Sequence, residues 1–302
     1  MEIKKQNKIL WKSLYNNAKE STVFTSWEFN NEVDTNSKTF VLAKDEEPII
    51  GIWASSKPFP YAKYQGLLTN FKNSYSSRKK FNILDNFFYR ITKYCDELRV
   101  VNNKNLEYIT AARWPSRRNG LKIDTAIGCS AVIDLTIFKN FGMYIDKLED
   151  NRRRDYKKFS ETKAKVSPGV EPGELYRLIK LTFQRQNIPL MENTRELVNL
   201  YHKFSLKHGR CNKATLGGKP IAATLFLHDS EAGYYVMGGN DPNHRDTGAS
   251  TALIIDQIKY CYKNGLDLVD LLSSNDPGRG TFKLSFSAAP LTYIDLFLAR
   301  IV

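Results

Sequence analysis

Residues 218–298 hold two apolar strands, a glycine-containing turn, a helix and a third strand, and that order limits what the chain can fold into. Residues 219–227 (KPIAATLFL) and 234–238 (YYVMG) are β-branched and aromatic runs on either side of HDSEAG, a connection of hairpin length, which predicts an antiparallel pair. Leu253, Ile254, Ile258, Cys261 and Tyr262 then recur at helical spacing. Thr247 is the expected cap of that helix, and Asn264-Gly265 supplies a left-handed stop. Residues 266–272 (LDLVDLL) return as a strand.

The connection between the second strand and the helix, residues 240–250 (NDPNHRDTGAS), suits an anion. A glycine and small residues let a ligand approach the N–H groups at the helix start, and Arg245 adds a fixed charge with forked hydrogen bonding. An ordinary capped turn accounts for the same residues with no ligand, so the surroundings have to decide.

Arg245-x-x-Gly248-x-Ser250, after a strand and opening a helix, resembles the pyrophosphate loop of the GNAT N-acyltransferases, with Ser250 where that pattern has Gly or Ala. Gly280-Thr281-Phe282-Lys283-Leu284-Ser285-Phe286 is similar to the Phe-Lys-x-x-Phe segment of the FemAB-like branch, the peptidoglycan cross-bridge aminoacyltransferases and their polysaccharide-cluster relatives. Thr182-x-x-Arg185-x-x-x-Pro189 and the arginine-rich residues 151–158 are further landmarks of that branch, in the same order. The resemblance implies an α/β fold of two side-by-side GNAT-like mixed-sheet domains with a central cleft, divided here as residues 1–146 and 147–302. It implies Lys283 as the catalytic residue, beside the developing oxyanion or on the donor phosphate, and Arg245, Thr247, Gly248, Ala249 and Ser250 as the donor-binding loop. Phe282, Arg185, Arg153, Arg154 and Trp114 are its substrate-facing residues. Acyl-CoA is the implied donor, with aminoacyl-tRNA as the alternative.

The rest of the chain adds a second hairpin, residues 39–43 and 49–54 around KDEEP, which mirrors the first and suggests a duplicated unit. Residues 9–18 and 81–96 read as helices, the latter with Ile83, Phe87, Phe88 and Ile91 inward. Residues 98–101 and 131–135 are expected to complete the first sheet. Residues 147–165 form the densest basic stretch, the expected wall of the cleft, and two helices, 171–185 and 192–208, follow it.

A formal charge of +13, from 45 basic and 32 acidic side chains, favours anionic partners. Nucleotide- or lipid-linked sugars, tRNA and an anionic membrane surface all qualify. Four scattered cysteines and four histidines without ligand spacing predict no metal and a reduced, cytoplasmic setting. Ile9–Trp11 is too short an apolar cluster for a signal-peptide core, and no apolar run reaches the length of a membrane span, so the expectation is a protein in solution or peripheral at the inner membrane face. Three functions from different classes follow. They are an N-acyltransferase acting on an amino sugar or cell-envelope glycan precursor, an aminoacyl-tRNA-dependent transferase, and a non-catalytic binding protein on the same scaffold. The short connection between the two helices before Gly209, with no coiled-coil arm, favours the first.

Overall fold

The computed structural model describes residues 1–35, 37–54, 60–62, 64–95, 97–102, 111 and 121–300. The elements begin with β1 (Glu2–Lys5), α1 (Lys8–Asn17), α2 (Trp27–Glu32), β2 (Lys38–Lys44), β3 (Glu47–Ala54), β4 (Leu67–Thr69), α3 (Ser77–Ile91) and β5 (Glu97–Asn102). They continue with β6 (Leu121–Asp134), α4 (Phe141–Lys147), α5 (Asp150–Glu161), β7 (Lys165–Pro168), α6 (Pro172–Arg185), α7 (Thr194–His208) and β8 (Gly209–Leu216). Last come β9 (Lys219–His228), β10 (Ala232–Asn240), α8 (Ala249–Lys263), β11 (Leu268–Ser273), α9 (Pro277–Leu284) and β12 (Ala289–Arg300). They form two compact units, Met1–Gly128 with the stretch from Thr292, and Cys129–Leu291.

In the first unit β1–β2–β3–β4 make an antiparallel sheet in chain order. Alternation along β2 divides its side chains between two apolar clusters. Val41 and Ala43 pack with Leu10, Trp11 and Leu14 of α1, while Phe40 and Leu42 pack with Phe87, Phe88 and Ile91 of α3. The indole N–H groups of Trp11 and Trp53 both donate to Thr25 O, at 2.9 and 3.3 Å, which satisfies two buried donors with one carbonyl. β5 pairs antiparallel with β12, with Leu98 opposite Leu298 and Val100 opposite Leu296.

The expectation that 98–101 and 131–135 both close the first sheet is therefore corrected. Residues 130–134 of β6 pair instead with β11, Ser130 opposite Ser273 and Asp134 opposite Leu268. Ala131 and Ile133 share a core with Val269, Leu271 and Tyr144, so the second unit begins before the boundary expected at 146/147. A short apolar run says that a strand is buried but not which strand lies beside it.

The second unit runs β6–β11–β10–β9–β8–β7, with β10 and β11 parallel and the other neighbours antiparallel. β9 is buried from Ile221 to Leu227, as a strand covered on both faces requires. Ala252 and Leu253 of α8 and Phe159 of α5 pack over Ala214 and Ala222, while α6 and α7 pack on β8, β9 and β10.

Candidate active site

β10 and β11 are neighbours only over Ala232–Tyr234 and Leu268–Asp270. Beyond these pairs β10 stays with β9 as far as Asn240 and β11 stays with β6, so the two strands part. Each is irregular where it leaves. The register of β10 shifts between Tyr235 and Met237, and that of β11 between Asp270 and Ser273, where Leu272 has φ +57°. A leucine in the left-handed region is strained and needs support from its surroundings. The buried Asp270 carboxylate gives it, accepting from Leu272 N at 2.6 Å and from Ser130 Oγ at 2.5 Å.

This bend presents the carbonyls of Leu272 and Ser273 to Lys283, whose ammonium donates to them at 3.4 and 2.8 Å. The same Nζ lies 5.7 Å from the centroid of the Tyr235 ring on β10, so the lysine touches both strands where they separate. Burial pushes the Tyr235 hydroxyl up to about 12, which keeps it a neutral phenol near neutral pH.

Lys283 stands near the end of α9. Asp276 caps that helix by accepting from Arg279 N at 3.0 Å, and Pro277 occupies its first position. Gly280 permits the close approach of α9 to the end of β11, since a Cβ there would sit 2.5 Å from Ser274 O. Phe286 is fully buried and Phe282 half-buried, with ring centroids 5.2 Å apart. The i, i+4 aromatic pair turns toward the core and the lysine between them points to the parting strands.

The loop before α8 forms a 3₁₀ turn over Pro242–Thr247 and then Gly248, with φ +75°, as the helix cap. Thr247, the expected cap, is one residue earlier, where its hydroxyl donates to His244 O at 2.6 Å and accepts from Ala249 N at 3.3 Å. The small residues here serve packing. A Cβ on Gly248 would meet Asp155 O of α5 at 2.1 Å, and Ala249 is buried under the same helix. Ser250 turns its hydroxyl to the Asn240 side chain, which donates to it at 3.0 Å. Asn240 N in turn donates to Thr182 Oγ1 of α6 at 2.8 Å, so α6, β10 and α8 meet through three side chains.

One turn beyond Thr182 stands Arg185, exposed and close enough to the exposed Arg245 to feel its charge. Burial first and Arg245 second lower its pKa. Among the described residues neither arginine makes an ion pair, and the two guanidinium groups lie close enough to interact. That arrangement suits a phosphate or pyrophosphate.

Residues 150–283 match the family model described as acetyltransferase (GNAT) domain. This chain carries a GNAT acetyltransferase domain. The fold of the chain is similar to that of FemX, at 12% identity and a TM-score of 0.70, covering 98% of this chain and 97% of that one. It is similar also to a tandem GNAT protein from the clavulanic acid biosynthesis pathway, at 8% identity and a TM-score of 0.60, covering 100% of this chain and 99% of that one. A GCN5-related glucosamine N-acetyltransferase region of a fungal multi-domain β-N-acetylglucosaminidase matches at 10% identity and a TM-score of 0.51, covering 98% of this chain and 38% of that one. No curated protein sequence matches the chain. The matched family is one of acetyltransferases, and this protein is an acyltransferase.

Within the GNAT domain the basic stretch divides by face. Arg153 and Arg154 are exposed, and Arg153 pairs with Asp150 and donates to Asp146 O at 3.0 Å. The structure does not gather these two with Lys283. Arg152 is the inward member of the three, against Thr251, Phe282 and Phe286. Its signal was in the sequence, because Arg152 stands four and seven residues before Tyr156 and Phe159, the apolar stripe of α5. Tyr235 left no comparable signal, since it lies in a run whose composition marks only a buried strand, while Asn240 was read only as the first residue of the polar connection. Trp114 lies outside the described residues.

Proposed function

We propose that the protein joins an acyl group to the primary amine of an amino sugar or related cell-envelope glycan precursor, by direct attack with no covalent enzyme intermediate. The observation that carries this reading is the Lys283 ammonium at the point where β10 and β11 separate. The neutral amine attacks the donor carbonyl, the new C–N bond forms, and negative charge collects on the carbonyl oxygen. Lys283 stabilises that oxygen. As the tetrahedral species collapses, the bond to the leaving thiolate or ribose oxygen breaks and the nitrogen loses its proton. Positioning and a fixed positive charge supply most of what such a reaction needs.

Arg185 and Arg245 hold the phosphates of the donor. The residues fit such a group, as two uncompensated cations beside the end of a helix do. Acyl-CoA is the donor in this reading, with aminoacyl-tRNA as the alternative. The connection between α6 and α7 is short, running from Gln186 to Asn193, and carries no helical arm for a large donor. A glucosamine N-acetyltransferase region with the same fold supports the amino-sugar acceptor. The test is a product screen by mass spectrometry, with acetyl-CoA or aminoacyl-tRNA offered against a panel of amino sugars. An N-acyl sugar formed from acetyl-CoA is expected. Product from aminoacyl-tRNA alone would replace the donor, and no product from either would contradict the reading.

A further inference from the structure

We propose that Arg152 is a positioning residue, a clamp that fixes helix α9, and with it Lys283, against the start of α8. This rests on the reading of Lys283 as the oxyanion-stabilising residue. Only 14% of the Arg152 side chain is exposed, and its guanidinium has polar partners at Nη1 and Nε and aromatic rings beside it. Nη1 donates to Thr251 Oγ1 at 2.9 Å and pairs with Asp155 Oδ2 at 3.0 Å, and Nε donates to Asn151 Oδ1 at 3.4 Å. Thr251 Oγ1 donates in turn to the same Asp155 carboxylate at 3.2 Å, closing a triangle on the first turn of α8. On its other side the guanidinium carbon lies 4.8 Å from the centroid of Phe282 and 5.8 Å from that of Phe286.

These contacts join two parts of the site that lie 31 residues apart in the sequence, at Thr251 and Phe282, through an arginine that precedes both. Thr251 follows the donor loop by one residue after Ser250, and Phe282 is the immediate neighbour of Lys283. Helix α9 has eight residues, too few to hold itself in place, so its position is set by what packs on it. The planar fork of arginine stacks on an aromatic ring and donates in its own plane at once, which the single ammonium of lysine does not do. Arg153 and Arg154 are exposed and do not duplicate the contact. Through Arg152 the arginine-rich segment thus places the lysine.

The test reads the position of Lys283 without any substrate. Arg152→Lys keeps the charge and loses the plane; Phe282→Leu keeps apolar bulk and loses the ring. Each purified variant is treated briefly with an amine-acetylating reagent, and modification of Lys283 is measured by peptide mass spectrometry relative to the exposed Lys219 and Lys263. Lys283 should react several-fold faster in both variants, with Lys219 and Lys263 unchanged. The double variant should exceed neither single one, because both changes break one contact. With the donor and amine from the product screen, turnover should fall on the order of 10²-fold, as a misplacement of about 1 Å brings, while the donor's Michaelis constant holds. Unchanged Lys283 reactivity in both variants, or additive effects in the double variant, would overturn the clamp. If Arg152→Lys unfolds, its melting curve shows this and Phe282→Leu decides. Faster labelling supports the clamp whatever the activity of Lys283→Met, which tests the reading of Lys283 and not the clamp.

Discussion

Arg185 lies near enough to Arg245 that, after burial, the like charge of Arg245 lowers the Arg185 pKa, a mild repulsion. Removing one relieves that repulsion, so Arg245→Ala should leave melting unchanged or slightly raised. It should raise the donor's Michaelis constant more than it lowers turnover, because a contact to the donor phosphate is present both before and during reaction. Steady-state kinetics check this, and an unchanged donor constant would remove Arg245 from the site. At this scale the sequence was half legible. Lys283 and Arg245 were chosen from motif spacing, and the structure gives each a setting that suits charge chemistry. Gly248 and Ala249 were read as letting a ligand approach, and in the structure a Cβ on Gly248 would meet α5 while Ala249 lies in a core cluster. A sequence states that a position must be small but not whether a ligand or a neighbouring helix needs the space.

Among the elements, both hairpins and the helices α1, α6, α7 and α8 are legible because alternation and helical periodicity are local properties. The pairing of β5 with β12 and the transfer of residues 130–134 to β11 are not, since each joins segments more than a hundred residues apart. The junction of α6, β10 and α8 is a further case, made by side chains that no periodicity marks. Thr182 Oγ1 accepts from Asn240 N at 2.8 Å and donates to Leu178 O at 3.0 Å. Thr182→Val keeps the shape and leaves Asn240 N without that acceptor, a loss of roughly 1–2 kcal/mol. The melting temperature should drop by about 2–8 °C, the range set by about 2–4 °C per kcal/mol for a domain of this size. The donor constant should rise with it, because the Ser250 turn hangs from the same junction. Calorimetry together with donor titration checks both effects, and an unchanged melting temperature would show that the junction carries no load.

For the whole molecule, pH offers a handle distant from the chemistry. His228 stacks on Tyr260 with ring centroids 5.1 Å apart, and burial, followed by the charge of Arg210, pushes its pKa down to about 4. In the unfolded chain a histidine takes up its proton near pH ~6.5. Between these values the unfolded state binds more protons, so stability is complete above the unfolded pKa and is lost as pH falls toward the folded one, by at most roughly 3 kcal/mol. Melting followed from pH ~7.5 to ~4.5 should decline in the parent and flatten in His228→Phe, which keeps a ring against Tyr260. An equal decline in both would assign the effect to other groups. The charge of +13 favours anionic ligands without choosing among them, whereas the lysine between the parting strands makes a specific claim. Lys283→Met keeps most of the aliphatic stem and removes the ammonium. Its turnover, measured with the donor and amine that the product screen identifies, tests that claim most directly. A variant that melts like the parent and turns over about two to three decades more slowly is the predicted result. A variant that melts and turns over like the parent would contradict it.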